Sequence, residues 1–170
     1  MNALKMFASA IRGALDRIAP SPQPSGQSGA AALRRAYCGL LMEVARIESA
    51  RPNLKRAAVG QALQSVLTLP REEAAALLVE AERAENRYTS YYEPVTVINR
   101  RCPPQAKVGF VEQLWRVAFA DGNLDMYEDQ LIRKLAELLH VAHADFIVAK
   151  QRARDWSRTT FAARAAETAG

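Results

Sequence analysis

Four polar residues in one short stretch of the chain have the chemistry to bind a hard cation. Asp121, Asn123, Asp125 and Glu128 lie close together in sequence, and their oxygens are of the kind that Ca²⁺, Mg²⁺ and Mn²⁺ prefer. The first three occupy positions one, three and five of an EF-hand-like loop. The twelfth position holds Ile132 instead of glutamate, which excludes a true EF-hand. A looser, weaker site for a divalent cation remains open.

The same stretch also has the pattern of two helix ends. Gly122 can take the left-handed conformation that closes a helix. Asp125 is a good N-cap, and Glu128 three residues later completes a capping box at the positive end of the helix dipole. Capping explains Asp121 least well. Capping alone and weak metal binding are therefore two competing interpretations of this acidic loop.

A second group of potential ligands contains His140, His143 and Asp145. A zinc site needs three or four ligands, and neither cysteine is adjacent in sequence. We interpret His140 instead as a favourable contact with the negative end of a helix. The chain contains no nucleophile elbow, P-loop, His-Glu-x-x-His or dinucleotide-binding glycine pattern, so we expect no catalytic residues and no enzymatic activity.

The elements that position these residues are predicted to be helices. Ala, Leu, Glu and Arg are abundant and strand-forming residues are sparse, which favours an all-α fold. Apolar periodicity and boundary residues predict seven helices in the main domain, at about 30–48, 53–67, 71–87, 93–101, 105–120, 126–140 and 143–167. The helix at 105–120 is apolar on most of its circumference, which places it at the centre of the bundle.

Several aromatic and apolar residues are expected in the core of this bundle. Trp115 should lie there with the central helix, and Phe146, Ile147 and Trp156 should face inward from the last helix. The aromatic segment 88–92 is predicted to plug the bundle.

Residues outside the main domain have a different composition. An amphipathic helix is predicted within residues 1–18, followed by a Pro-, Gly- and Ser-rich linker over residues 19–29. The helical domain is expected over residues 30–152. Residues 153–170 extend the last helix and are expected to fray from Ala162. The N-terminal helix could either dock on the main domain or a partner protein, or lie on a membrane surface. Docking is favoured because the helix carries few positive charges.

The main domain contains an internal repeat. Residues 40–73 and 112–145 both show a helix, a short polar loop, a second helix and a turn into a third. Val44-Ala45 matches Val117-Ala118, and the apolar residues of the second helices match after a slip of one residue. The fold is therefore predicted to be a single-domain bundle built from two related helix-loop-helix halves. On this register Glu48 corresponds to Asp121, and Arg56 corresponds to Glu128.

The acidic loop belongs to a recognisable pattern, Ala-Asp-Gly, then an aliphatic residue, then Glu, each leading into an apolar helix. Asp121, Gly122, Leu124 and Glu128 match it. The sequence here resembles the TerB-like family of tellurite resistance proteins over about residues 30–150. The resemblance implies a bundle of about seven helices, an acidic cluster suspected of binding divalent metal, and no established catalysis. Glu48 alone remains of the family's acidic motif in the first repeat, so that repeat is degenerate.

Charge and cysteine content limit the remaining classes of function. The net charge is +5, with arginine-rich stretches in the first helical pair and the last helix, which are usually solvated helix faces. No apolar run is long enough to span a bilayer, and residues 1–18 lack the features of a secretory signal, so we expect a cytoplasmic location. Cys38 and Cys102 are interpreted as reduced thiols, one buried and one in a loop.

The leading functional hypothesis is a non-enzymatic, TerB-like adaptor that binds partner proteins in a stress response. The link to stress and tellurite comes from the resemblance alone. One alternative is a metal-binding or metal-sequestering protein, with Ca²⁺, Mg²⁺ or Mn²⁺ as the candidate cation. Another is a basic helical module that binds a membrane surface or nucleic acid through residues 2–18 and the two arginine-rich faces, with nucleic acid the less favoured partner.

Overall fold

The computed structural model describes residues 29–47, 49–84 and 90–168, together with Ser9 and Gly13, and side chains as far as Thr160. Within these ranges helices are the only regular secondary structure, which confirms the predicted all-α fold class. The helices are α1 Gly29–Ala45, α2 Pro52–Val66, α3 Arg71–Arg83, α4 Tyr92–Arg101, α5 Pro104–Ala118, α6 Met126–Leu138 and α7 His143–Thr168, with a 3₁₀ turn at Phe119–Asp121. The predicted helix at 2–18 and most of the predicted linker lie outside the described residues.

Helix α5 is the centre of the bundle, as its sequence predicts. It contacts α1, α2, α6 and α7, and Phe110, Leu114 and Trp115 on it are fully buried. The Trp115 ring packs against the rings of Phe119 and Phe146, with centroid distances of 5.7 and 5.6 Å. A helix with apolar residues on most of its circumference is stable only when other elements cover it on several sides.

The aromatic segment 88–92, predicted to plug the bundle, is described only in part. Residues 88 and 89 lie outside the described residues, Tyr91 packs against the core and Tyr92 is exposed.

Two expectations about the last helix are wrong. Ile147 is 46% exposed, while Trp156 is only half-buried. The buried stripe of α7 follows Phe146 and then Ala149 and Ala153, at the helical spacing of three and four residues. Ile147 lies one residue away from this stripe and therefore points outward.

The two predicted halves of the repeat share their helix boundaries. After α2 and α6, Thr68 and His140 both adopt positive φ angles, of 53° and 57°. Among the described residues no other non-glycine residue has a positive φ. Each of the two follows the C-cap residue of its helix, and the next helix begins three residues later in both halves. The second helix of each half therefore ends in the same way, with a left-handed residue directly after its C-cap.

The C-terminal helix and the cysteines differ from expectation in detail. Helix α7 runs to Thr168, through most of the segment in which fraying was predicted. Cys102 follows α4 but is buried, like Cys38, and both are free thiols. Burial raises the pKa of Cys38 to about 12 and that of Cys102 to about 11. Both therefore remain protonated and poorly nucleophilic near neutral pH.

None of the helices within the described part of the chain is long and apolar enough to cross a membrane.

Candidate functional site

The acidic loop joins α5 to α6 and contacts the first half of the repeat. The chain leaves α5 through the 3₁₀ turn and reverses at Gly122, whose φ of 84° is left-handed as predicted. The Gly122 N–H donates to the Phe119 carbonyl at 3.1 Å. This turn directs the Asp121 side chain toward Ser49 and Lys55 of the first half.

The predicted capping box is present at the start of α6. Asp125 is the N-cap, and its Oδ1 accepts a hydrogen bond from the Tyr127 N–H at 2.7 Å. Glu128 Oε2 accepts from the Asp125 N–H at 3.0 Å. Asp121 Oδ1 accepts from the Asn123 N–H at 3.0 Å. Backbone N–H groups therefore bind one oxygen of each of the three carboxylates.

The remaining oxygens of Asp121 and Glu128 face a buried lysine. Lys55, near the start of α2, is only 1% exposed and Glu128 is fully buried. Lys55 Nζ donates to Glu128 Oε1 at 2.7 Å and lies 3.6 Å from Asp121 Oδ2. Ser49 Oγ donates to the same Asp121 oxygen. We call Ser49, Lys55, Asp121 and Glu128 the lysine–carboxylate cluster.

The electrostatics of the cluster follow from burial. Burial raises the pKa of Glu128 above its ordinary value, while the Lys55 ammonium and the Asp125 N–H oppose this rise. A buried carboxylate without a partner is strongly disfavoured, and so is a buried ammonium. The ion pair therefore allows both charges to remain away from water.

A divalent cation does not fit this arrangement. The Lys55 ammonium already lies against the two carboxylates that would be the principal ligands, and Asn123 is exposed. No group of three or more His, Cys, Asp or Glu side chains within the described ranges could hold a metal ion. Glu48, the further ligand suggested by the first repeat, lies outside the described residues.

Sequence reasoning did not predict which residue faces Glu128. The repeat register makes Arg56 the counterpart of Glu128, and Arg56 points away from the loop and pairs with Glu82 of α3 at 2.5 and 3.1 Å. The adjacent Lys55 faces Glu128. A signal was available, because Lys55 precedes the buried Ala58 and Val59 by three and four residues. That spacing puts it on the buried face of α2.

The two histidines do not form a metal site with other described residues. His140 is the exposed left-handed residue that closes α6. His143 begins α7, and its ring stacks against Phe146 with a centroid distance of 6.1 Å. Their positions are accounted for by the turn between these two helices.

A second candidate site, which sequence reasoning did not identify, is a cavity of about 420 Å³ between α2, α5 and α7. We call it the glutamine groove. Its polar lining consists of Gln61, Gln64, Ser65, Gln113 and Arg116, and Trp156 forms its aromatic side.

Two donors in the wall of the glutamine groove lack partners. Gln113 is 3% exposed, and its Nε2 has no hydrogen-bond partner among the described residues, nor does Arg116 Nε. The Arg116 guanidinium is held by Glu112 at 2.7 Å and lies 5.0 Å from the centre of the Trp156 ring. The groove therefore lies beside two buried, unpartnered donors and an aromatic surface.

Comparison with known proteins identifies the family. The sequence model of the family described as "Tellurite resistance protein TerB" matches residues 34–151, well over half of the chain. A search of curated proteins and a search of solved structures found no match. The matched range includes helices α2 to α6 and the whole lysine–carboxylate cluster. The chain therefore belongs to the TerB family of tellurite resistance proteins.

Proposed function

We propose that this protein is a non-enzymatic TerB-family adaptor that binds partner proteins through the glutamine groove. The observation that carries the proposal is the pair of unpartnered donors, Gln113 Nε2 and Arg116 Nε, in the wall of one cavity. A cytoplasmic location and a role in a tellurite-type stress response belong to the same proposal. The support for the stress role is family membership.

The chemistry of the groove favours a peptide segment that carries a carboxylate. Buried donors without acceptors are costly, so a ligand oxygen that reaches them after a small side-chain movement gains more there than on open surface. The amides of Gln61 and Gln64 can both donate to and accept from a peptide backbone. Ala58 and Ala62 leave room beside Trp156 for an apolar side chain. An extended acidic segment satisfies all of these features.

Metal sequestration is less well supported as the primary function. The carboxylates that would bind the metal are paired with Lys55. A cation would have to displace a buried ammonium, which then needs a new partner.

Binding of polyanions through the first helical pair is also less well supported. Several of its arginines form ion pairs with acids of α3, namely Arg34 with Glu73, Arg35 with Glu80 and Arg56 with Glu82. These acids weaken the positive field that would attract nucleic acid or anionic lipid. Membrane binding through residues 2–18 involves a segment outside the described residues and stays a prediction.

The proposal is tested by selection from a random peptide display library, followed by titration of enriched synthetic peptides against the whole protein. We expect enriched peptides to contain Asp, Glu or a free C-terminal carboxylate. Because Trp156 borders the groove, binding should change its fluorescence emission. The Trp156→Phe variant identifies this contribution against that of Trp115.

Two variants and one control locate the binding site. Gln113→Met keeps the side-chain size but removes the donor, and Gln64→Trp fills the exposed side of the groove. Each should weaken binding at least about tenfold, equivalent to 1.4 kcal/mol. Gln151→Met changes an exposed glutamine of α7 that does not line the groove, and should bind like wild type. Equal binding by all variants, or no enriched peptide, would overturn the proposal.

A further inference from the structure

We infer that the Lys55 ammonium occupies the position of a cation at the acidic loop, so that this chain carries a latent divalent-metal site closed by its own lysine. The inference concerns the lysine–carboxylate cluster and does not depend on the glutamine groove. It also explains why a chain with the acidic motif of its family has a ligand set that does not fit a metal.

The geometry places the ammonium where a bridging ion would lie. Lys55 Nζ is 2.7 Å from Glu128 Oε1 and 3.6 Å from Asp121 Oδ2. Protein oxygens bind Ca²⁺ at about 2.3–2.6 Å, and charge-assisted N–H···O hydrogen bonds are about 2.7–2.9 Å long. A cation at the position of Nζ would reach Glu128 with a small adjustment and Asp121 with a larger one.

Helix capping explains part of the cluster and leaves the rest unexplained. Asp125 and one oxygen of Glu128 complete the capping box of α6. Capping does not require Asp121 Oδ2 to accept from Ser49, nor Glu128 Oε1 to face the interior. These two oxygens come from different elements and converge on one positive charge. Such convergence is typical of a site that binds a cation.

The lysine also performs the structural task of a bridging ion. It belongs to α2 in the first half of the repeat, and its two acidic partners belong to the second half. One buried positive charge thus links the halves and separates two carboxylates that would otherwise repel each other. Because the cation is covalently part of the chain, the link does not depend on the metal concentration around the protein.

The test is to remove the ammonium and supply an oxygen in its place. Lys55→Gln leaves Asp121 and Glu128 without a cation and adds an amide oxygen, a suitable ligand for a hard cation. Calorimetric titration of the metal-free whole protein with Ca²⁺, Mg²⁺ and Mn²⁺ should give no saturable binding for wild type. For Lys55→Gln we expect saturable binding of at least one of these ions, with Kd on the order of 10⁻⁴–10⁻³ M.

Two controls identify the source of any new binding. Arg56→Gln removes the neighbouring cation, which pairs with Glu82 outside the cluster, and should bind no metal. Adding Asp121→Asn to Lys55→Gln should weaken the new binding at least about tenfold, equivalent to 1.4 kcal/mol.

If Lys55→Gln is too unstable for calorimetry, thermal unfolding of a second variant tests the same inference. Lys55→Glu supplies a third carboxylate, and its thermal midpoint should rise with added Ca²⁺ or Mn²⁺ while that of wild type does not. The inference is overturned if wild type binds metal in an Asp121-dependent way. It is also overturned if neither Lys55 variant gains binding or metal-dependent folding.

Discussion

The two loops that follow α1 and α5 occupy corresponding positions in the repeat, but only the second uses acidic side chains to cap the next helix. The first leads into α2, whose N-cap Arg51 makes no side-chain capping bond. The second leads into α6, where Asp125 and Glu128 form a complete capping box. The first half supplies Ser49 and Lys55, and the second half supplies the carboxylates that they bind.

This difference shows how two related halves can become complementary. Two acidic loops facing each other would place like charges together in a dry interface, which requires a bound cation or protonation. A lysine in one half removes that requirement and makes the two loops dependent on each other. The C-terminal ends of α2 and α6 remain alike, as the left-handed Thr68 and His140 show, whereas the N-caps and the facing side chains differ.

Removing the buried lysine should produce the largest effect on this comparison. Lys55→Met keeps most of the apolar stem but leaves Glu128 buried without a cation, which typically costs about 3–5 kcal/mol of the free energy of unfolding. Arg56→Met is the matched control, because the adjacent Arg56 pairs with Glu82 near the surface and should cost about 0–1 kcal/mol. Urea denaturation measures both. Equal losses for the two variants would contradict the special role of Lys55.

The cost of removing Lys55 should depend on pH. Burial already raises the pKa of Glu128 above its ordinary 4.5, and Lys55 opposes that rise, so Lys55→Met should raise the pKa further. A carboxyl whose pKa is raised by folding contributes stability below its unfolded value and loses it as pH rises through its folded value. The deficit of Lys55→Met relative to wild type should therefore be smallest near pH 4 and largest near pH 7.

Urea denaturation of both proteins across this pH range checks the prediction. A further Glu128→Gln change should remove most of the pH dependence of the difference, since the titrating carboxyl is gone. A deficit that stays constant with pH would mean that Lys55 stabilises the fold through packing alone.

Removing the N-cap side chain should change the free energy of unfolding less than removing Lys55, and the change should differ between the two loops. Asp125→Ala breaks the hydrogen bond to the Tyr127 N–H and should reduce the free energy of unfolding by about 0.5–2 kcal/mol. Arg51→Ala at the corresponding N-cap should change it by less than about 0.5 kcal/mol, because no side-chain capping bond is lost there. Thermal or urea denaturation of the two variants measures both changes in the free energy of unfolding. A larger loss for Arg51→Ala than for Asp125→Ala would contradict the prediction.

The smallest effect is expected where the two halves are alike. Thr68 is exposed, β-branched and left-handed, a conformation that costs roughly 1–2 kcal/mol per non-glycine residue. Thr68→Gly should relieve this strain, offset by the entropy of glycine, for a net gain of up to about 1 kcal/mol. His140→Gly should give a smaller gain, since His tolerates this region better. A loss in both variants would show that side-chain contacts outweigh the strain.

Much of the architecture could be predicted from the sequence because the deciding interactions are local. The seven helices follow from apolar periodicity, and the capping box could be predicted because all its partners lie within four residues. The turn at Gly122 could be predicted because glycine readily adopts the left-handed conformation found there. The repeat was visible because both halves keep the same apolar spacing. The family followed from the motif and was then shown by the match over residues 34–151.

Tertiary packing decided the features that join distant parts of the chain. The partner of Glu128 lies 73 residues away, and neither local pattern nor the repeat register identifies Lys55 as that partner. Ile147 and Trp156 are apolar residues on an amphipathic helix, and only the contact of α7 with α5 determines which face is buried. The glutamine groove exists only where three helices meet. Local sequence sets the helices and their caps, whereas charge pairing and cavities depend on how the helix faces are rotated toward one another.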